Sequence, residues 1–397
     1  MMRHDNPKAI KLLILYASYG DGHLQAARAI QSALEKRGHV QTAVLDLMAK
    51  SHPLIHGMAR RFYRSSYTKL PSLYGWMYGF TRPMKHDSML GSFLHAFGRG
   101  TMNGIVRQEQ PDAIIYTFPS YALPPASKQA ARHIPSFAII TDFDLHQRWV
   151  HPRIDRYYVA TEDLKTELVS LGISGSRVAA TGIPLKQSFK PRAATAELYK
   201  RYGLSPALPA VLLMAGADGV TPAVLELGER LLARSGALQV ALVCGRNESL
   251  RKAAALRFAG HPEASRIRVF GYVEPIHELM SLASCIVTKP GGITLSEAIA
   301  ANLPIFTYRP APGQELRNAV YLAERGAAVI ASRPGQLVSA ITRLLASPER
   351  LEQSRSALRL LQTAGAADAI ADDILARFSL AQEHVQAVGG RGRLLTE

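Results

Sequence analysis

The sequence predicts an α/β protein built as two doubly wound, parallel-sheet halves. Three observations lead there. Short apolar runs alternate with helical patterns along the chain, as in a parallel sheet covered by helices. The alternation is interrupted at residues 186–208 and then restarts. Each half opens with an apolar run that ends in a glycine turn: KLLILYAS into YGDGH, and AVLLMAGA into a second glycine loop.

The elements follow in order. KLLILYAS (11–18) reads as a buried strand, and the amphipathic LQAARAIQSALEKRG after it as a helix stopped by Gly38. VQTAVLDL (40–47) is a second strand. A basic, aromatic insert follows, then a helix near 99–109, strand DAIIYTF (112–118), a helix near 124–132 and strand SFAIITD (136–142). RYYVAT (156–161), a helix near 162–171 and RVAATGIP (177–184) complete the first half. Residues 186–208 read as a linker with one helix. The second half runs through AVLLMAGA (210–217), LQVALVCG (238–245), RIRVFGYV (266–273), SCIVTK (284–289), LPIFTYRP (303–310), a helix near 314–325 and AAVIAS (327–332). Helices near 337–347 and 349–378 precede a tail expected to be mobile. The expected organisation is residues 1–190, a linker at 191–208, residues 209–365, and a C-terminal helix and tail at 366–397.

With 397 residues, 47 % hydrophobic and 20 % charged, the composition excludes wholesale disorder. Cys244 and Cys285 sit in apolar surroundings and read as small buried hydrophobes, so a disulfide framework is not expected. The apolar runs fall short of the roughly 18 to 20 residues of a spanning helix. The N-terminal apolar run is too short for a secretory signal, so a cytoplasmic protein is expected.

The net charge is +16, and it is unevenly placed. Residues 1–200 hold 26 basic and 14 acidic side chains. Between Asp46 and Asp87 forty residues carry no acid at all, yet contain Lys50, Arg60, Arg61, Arg64, Lys69, Arg82 and Lys85. Phe62, Tyr63, Tyr67, Tyr74, Trp76, Tyr78 and Phe80 are interleaved. Composition alone admits a basic helical region of a soluble enzyme, a membrane-surface patch or a nucleic-acid surface. Tyr and Trp suit the headgroup level of a bilayer, and each basic side chain near anionic lipid adds about 1 kcal/mol at most. Neither a groove-reading helix nor an aromatic RNA-binding sheet motif is present.

Three motifs carry chemistry. Tyr19-Gly20-Asp21-Gly22-His23 lies between a strand and a helix, where backbone amides attract anions. Gly20 and Gly22 match two glycines of a dinucleotide fingerprint, with Asp46 as a ribose acid, but Gln25 stands where the third small residue belongs. His23 suggests proton transfer instead. Lys289-Pro290-Gly291-Gly292-Ile293-Thr294-Leu295-Ser296-Glu297 opens a helix after strand SCIVTK; its amides and the Thr294 hydroxyl suit a diphosphate, and Glu297 suits a ribose diol. Pro312-Gly313-Gln314-Glu315 follows the next strand, with Asn318 one turn beyond Gln314.

PGGITLSEA, APGQELRNA and the GYV loop (271–273) resemble the nucleotide-sugar half of inverting GT-B glycosyltransferases. YASYGDGHLQAARAI, TDFDLHQRWVHP, DRYYVATED and CGRN resemble the same enzymes, in particular the monogalactosyldiacylglycerol synthases and processive diacylglycerol glucosyltransferases. The resemblance implies two Rossmann-like domains facing a central cleft: an acceptor and membrane-binding domain, then a UDP-sugar-binding one. It implies that Gly291, Gly292 and Thr294 hold the diphosphate and Glu297 the ribose. The backbone at Val273 would meet the uracil, and Gln314, Glu315 and Asn318 the hexose. Gly22, Gly216 and Arg246 would line the donor cleft. His23 would be the general base, with Asp142 either the alternative base or the partner that orients it. Trp149 would meet acceptor or anionic lipid, and Arg60, Arg61, Arg64, Tyr74 and Trp76 would rest on the membrane. The YGDGH loop departs from the GGGH of plant-type members, which favours the bacterial branch.

The expected activity is inverting transfer of a hexose from UDP-glucose or UDP-galactose to diacylglycerol, with repeated addition open. UDP-sugar is a co-substrate and no cofactor is expected. Asp142 and Asp144 have D-x-D form but lie in the acceptor half, so no metal is expected. Partners are diacylglycerol and anionic lipid at the inner membrane face, without nucleic acid. The alternatives are a polyprenyl-lipid transferase of the same fold, or a basic nucleotide-binding protein without catalysis.

Overall fold

A computed structural model describes residues 9–18, 20–51, 57, 71–89, 91–92, 98–119, 133–187, 189, 193–219, 221, 223–234 and 238–391. The expected helix near 124–132 lies outside them. So do Arg60, Arg61 and Arg64.

The described strands form two parallel sheets. The first takes β1 (Ile10–Tyr16), β2 (Val40–Asp46), β3 (Ala113–Tyr116), β4 (Ser136–Ile139), β5 (Arg156–Val159) and β6 (Val178–Ala180), in the order β2-β1-β3-β4-β5-β6. The second takes β7 (Ala210–Met214), β8 (Gln239–Val243), β9 (Ile267–Phe270), β10 (Cys285–Val287), β11 (Ile305–Tyr308) and β12 (Ala328–Ala331), in the order β12-β11-β10-β7-β8-β9. Each order reverses direction at a switch point, between β1 and β3 and between β7 and β10. Ligands of such sheets bind outside the carboxyl ends of the strands at those points. The two cysteines are buried and unpaired, as expected.

Helix α1 (Asp21–Glu35) starts inside the glycine turn, three residues earlier than the apolar pattern suggested. Asp21 in its first turn complements the helix dipole. Its inner face is Ala26, Ala27, Ala29, Ile30, Ala33 and Leu34, small residues that let the helix lie close to the sheet. Burying Ile30 and Leu34 contributes roughly 1.5–3 kcal/mol each. Helices α2 (Leu47–Ser51), α3 (Pro71–Thr81) and α4 (Arg99–Glu109) follow β2, and α5 (Glu162–Ser170) follows β5. The sequence reading assigned no helix to 71–81.

The second half contains α6 (Ala196–Tyr202), α7 (Val224–Arg234), α8 (Glu248–Ala259), α9 (Ile276–Leu282), α10 (Gly292–Ala300), α11 (Gln314–Glu324) and α12 (Pro334–Leu345). The helix expected over 349–378 is two helices, α13 (Pro348–Leu361) and α14 (Ala366–Arg391). Gly365, at φ +67°, permits the break. The break sends α14 back onto the first half. There Arg37 pairs with Asp368 at 3.1 Å and Asp372 at 2.5 Å. Arg156 pairs with Asp373 at 3.0 Å, and Tyr158 donates to the same carboxylate at 2.8 Å.

Candidate active site

The carboxyl ends of the two sheets face one another, and the sequence motifs converge there. His23, in the first turn of α1, crosses the β1/β3 switch point to the residue after β3. Its Nδ1 lies 2.7 Å from the carbonyl oxygen of Thr117. A carbonyl only accepts, so Nδ1 carries the proton and Nε2 keeps its lone pair. The Thr117 hydroxyl in turn donates to the His23 carbonyl at 3.0 Å. The Thr141 hydroxyl stands 3.1 Å from Nδ1, and the Phe118 ring meets the imidazole edge-on at 5.0 Å. Nε2 has no hydrogen-bond partner among the described residues. Burial lowers the His23 pKa below 6.5, with the Asp142 carboxylate opposing. The ring is therefore a neutral base at neutral pH.

Asp142 is buried just past β4. It does not orient His23 through a hydrogen bond; Thr117 does that. Asp142 instead accepts from Asn318 Nδ2 at 3.0 Å and is also bonded by Gln314. Burial raises its pKa, with His23 and those amides opposing.

Asn318 was expected at the donor hexose, and its position corrects that. It is fully buried. Its Oδ1 accepts from the Phe143 amide at 2.9 Å, and its Nδ2 also donates to the Pro290 carbonyl at 3.1 Å. With these bonds it ties the halves together. Gly292 makes the same junction possible, because a Cβ there would overlap the Thr141 carbonyl oxygen. The inter-half approach is thus met by glycine, and Thr141 touches both His23 and the tip of α10.

The N-cap of α10 is Gly291, and no side chain caps the amides of the first turn. A Cβ on Gly291 would meet open space, whereas one on Gly22 would touch Ile293 of α10 at 3.5 Å. Thr294 is half-buried in that turn. One turn on, Glu297 is half-buried, and its carboxyl has no hydrogen-bond or ion-pair partner among the described residues. Burial pushes its carboxyl up to about 7, against the pull of Lys186. Glu315 accepts an ion pair from Lys289 Nζ at 3.2 Å. Gly216, at φ +80°, leaves room for the Lys289 stem. Arg246 spans the cleft to Asp21 at 2.6 Å and stacks over Tyr272, 4.6 Å from the ring centroid, beside half-buried Val273.

The membrane-side assignments divide. Trp149 is 2 % exposed and belongs to the core, so it offers no surface to lipid. Tyr74 is half-buried against the Pro312–Gly313 loop, its Cε1 being 3.2 Å from a Cβ built on Gly313. Trp76, by contrast, is 66 % exposed. Asp144 is occupied by Tyr78 Oη at 2.8 Å and Arg82 at 2.9 Å, so it fastens α3 to the loop after β4. Among the described residues no cluster of three or more His, Cys, Asp or Glu is arranged to hold a metal. Asp46 accepts from Ser18 N at 3.0 Å and Ala49 N at 2.9 Å, which removes it from the ribose role of the dinucleotide reading.

Thr117, Thr141, Lys289 and Tyr78 were not assigned site roles from sequence, and Tyr74, expected on the membrane, lies on the inward face of α3. Thr117 had a usable signal, its place at the carboxyl end of a strand beside a switch point. The pairing of Lys289 with Glu315 joins two motifs, and neither motif alone predicts it.

Comparisons with known proteins bear on the family and the fold. A family described as monogalactosyldiacylglycerol (MGDG) synthase matches residues 23–185, and the glycosyltransferase family 28 C-terminal domain matches residues 212–372. Over 375 residues the chain is 37 % identical to a processive diacylglycerol beta-glucosyltransferase of Bacillus cereus (strain AH187), covering 94 % of this chain and 96 % of that one. The same identity and coverage hold for one of Bacillus anthracis (strain A0248). Among solved structures, an S. aureus MnaA–UDP co-structure aligns with TM-score 0.62 at 16 % identity, covering 94 % of this chain and 97 % of that one. Acinetobacter baumannii MurG aligns with TM-score 0.61 at 17 % identity, covering 92 % and 99 %. These structures establish the GT-B fold.

Proposed function

The chain belongs to the family of the processive diacylglycerol β-glucosyltransferases, and from that premise we propose that it transfers glucose from UDP-glucose to diacylglycerol with inversion. The observation that carries the mechanism is His23, whose Nδ1 is committed to Thr117 at 2.7 Å and whose Nε2 keeps its lone pair.

In the proposed reaction the acceptor hydroxyl attacks the anomeric carbon from the face opposite UDP. Its proton passes to His23 Nε2 as the new C–O bond forms. The old anomeric C–O bond breaks, and its electron pair leaves on the β-phosphate oxygen. The uncapped amides of α10 and the Thr294 hydroxyl receive that charge, a role helix N-termini fill well. Metal-free catalysis is part of the proposal, since helix amides serve where many transferases use a cation. Glu297 takes the ribose hydroxyls, the Val273 backbone the uracil, and Gln314 and Glu315 the hexose. The buried Asp142 carboxylate stabilises the imidazolium as it forms.

An acceptor dissolved in a bilayer requires the enzyme to reach it from the surface. No helix among the described residues is long and apolar enough to cross a membrane. The proposed contact is peripheral, on the inner face, through the acid-free stretch 47–86 with its seven basic residues. Repeated addition follows if the site accepts its own glycolipid product.

The test incubates the protein with UDP-glucose or UDP-galactose and diacylglycerol in anionic vesicles, with and without EDTA, and resolves the glycolipids by mass and anomeric configuration. Successive β-glucosyl products from UDP-glucose, unaffected by EDTA, are expected. Products from UDP-galactose alone refute the donor, an α-linked product refutes inversion, and loss of activity with EDTA refutes the metal-free step.

A further inference from the structure

Helix α3 has two working faces. Leu73, Trp76, Met77 and Phe80 are 39, 66, 37 and 61 % exposed, and their spacing of i, i+3, i+4 and i+7 puts them on one side of the helix. The Trp76 and Phe80 rings stack at 5.7 Å with 13° between planes, which makes a continuous apolar ridge. The stretch that contains the helix has seven basic and no acidic side chains over residues 47–86. That charge suits an anionic bilayer.

The other face rests on the donor half. A Cβ on Gly75 would overlap Pro312, and one on Gly313 would lie 3.0 Å from the Tyr78 ring. Gly313, at φ +100°, is the N-cap of α11, and Gln314 and Glu315 are its first residues. The helix is fastened at its far end by Tyr78 Oη on Asp144 at 2.8 Å and by the Gln147 amide on the Arg82 carbonyl at 2.9 Å. No intervening layer separates the exposed ridge from the loop that leads into the proposed hexose readers.

We propose that α3 couples the membrane to the donor site: docking its outer ridge on an anionic bilayer presses its inner face onto Pro312–Gly313 and fixes the start of α11 for the hexose. This inference rests on the membrane reading above and adds a linkage to it. Linkage is reciprocal, so vesicles tighten UDP-glucose binding by the same factor as UDP-glucose tightens vesicle binding. The effect belongs to the hexose, because the loop leads to Gln314 and Glu315; UDP alone is expected to respond less.

The experiment uses the full chain with phosphatidylcholine vesicles, with or without phosphatidylglycerol, all lacking diacylglycerol. Sedimentation reads vesicle binding and equilibrium dialysis reads nucleotide affinity. For the wild-type protein, anionic vesicles should tighten UDP-glucose binding by about 5-fold or more, the lower end of ordinary couplings. Gly75→Ala puts a good helix former at the contact while displacing Pro312. It should still sediment with vesicles but show neither shift. Tyr78→Ala, which removes the ring under Gly313, is the second variant and should behave alike. Trp76→Ala with Phe80→Ala should lose sedimentation. If that double variant sediments like wild type, the membrane reading of α3 fails. If wild type binds vesicles with no change in UDP-glucose affinity, or Gly75→Ala and Tyr78→Ala retain the shift, the coupling is overturned.

Discussion

Asn318 Nδ2 donates to Asp142 Oδ1 at 3.0 Å, from helix α11 of the second half to the segment just past β4 in the first half. Both residues are buried, and Asn318 has its other bonds to Phe143 and Pro290. One amide side chain therefore satisfies three groups at the junction. Asn318→Ala strands a buried carboxylate oxygen and an amide, and should cost about 2–3 kcal/mol in denaturant unfolding. Asn318→Asp sets a second carboxylate against Asp142. Its penalty should be larger at neutral pH and shrink on acidification, as one of the pair takes a proton. Equal penalties at both pH values would refute the contact.

His23→Ala should lower kcat about 10²- to 10⁴-fold, the usual worth of a positioned base, with UDP affinity retained. Burial holds the His23 pKa below 6.5, so the acid limb of wild-type kcat should lie below the ordinary histidine range. Activity that persists in His23→Ala would move the base role to Asp142. Rate profiles together with UDP titrations separate these outcomes.

Adjacent glycines at α10 should respond differently. A Cβ at Gly291 meets open space and its φ of −75° is ordinary, so Gly291→Ala should leave the melting temperature in place. It should nevertheless weaken UDP binding, since it fills the approach to the first-turn amides. Gly292→Ala collides with the Thr141 carbonyl oxygen and should destabilise by about 1–3 kcal/mol. Thermal melts with UDP titrations check both. Unchanged UDP affinity in Gly291→Ala would remove the diphosphate from this helix end.

Much of this was legible in the sequence, and the failures have physical causes. The strands are short apolar runs alternating with helical patterns, so the two parallel halves could be read, but the order of the strands within each sheet could not. Helix α3, PSLYGWMYGFT, was not legible because it lacks the polar face that gives a soluble helix its period. One side is an exposed apolar ridge and the other packs on Pro312 and Gly313. His23 and Glu297 stood out because each follows a glycine turn after a strand. Asn318 was misassigned because i, i+4 spacing with Gln314 indicates a shared face and not its partners. Those partners, Asp142 and Phe143, are more than 170 residues away. The burial of Trp149 was equally hidden, since it stands in a largely polar stretch with Gln147, Arg148 and His151.

Glu297 gives the proposed donor site a pH signature. Its carboxyl is half-buried and pushed up to about 7 by burial, from an ordinary value of 4.5, with Lys186 opposing. Between those values the folded chain holds a proton that the unfolded chain has released. The stability this contributes is therefore fully present below about 4.5 and lost as pH rises through 7. Glu297→Gln should flatten that slope. Ribose hydroxyls donate to both oxygens only when the group is ionised, so UDP binding should release a proton and tighten as pH rises through 7. The Gln variant should bind UDP about 10-fold or more weaker at high pH, the loss expected for hydrogen bonds to a charged group. It should also lose the pH trend. Calorimetric titrations with UDP in buffers of different ionisation enthalpy count the released proton directly. A pH-independent affinity, matched by Glu297→Gln, would place the ribose elsewhere.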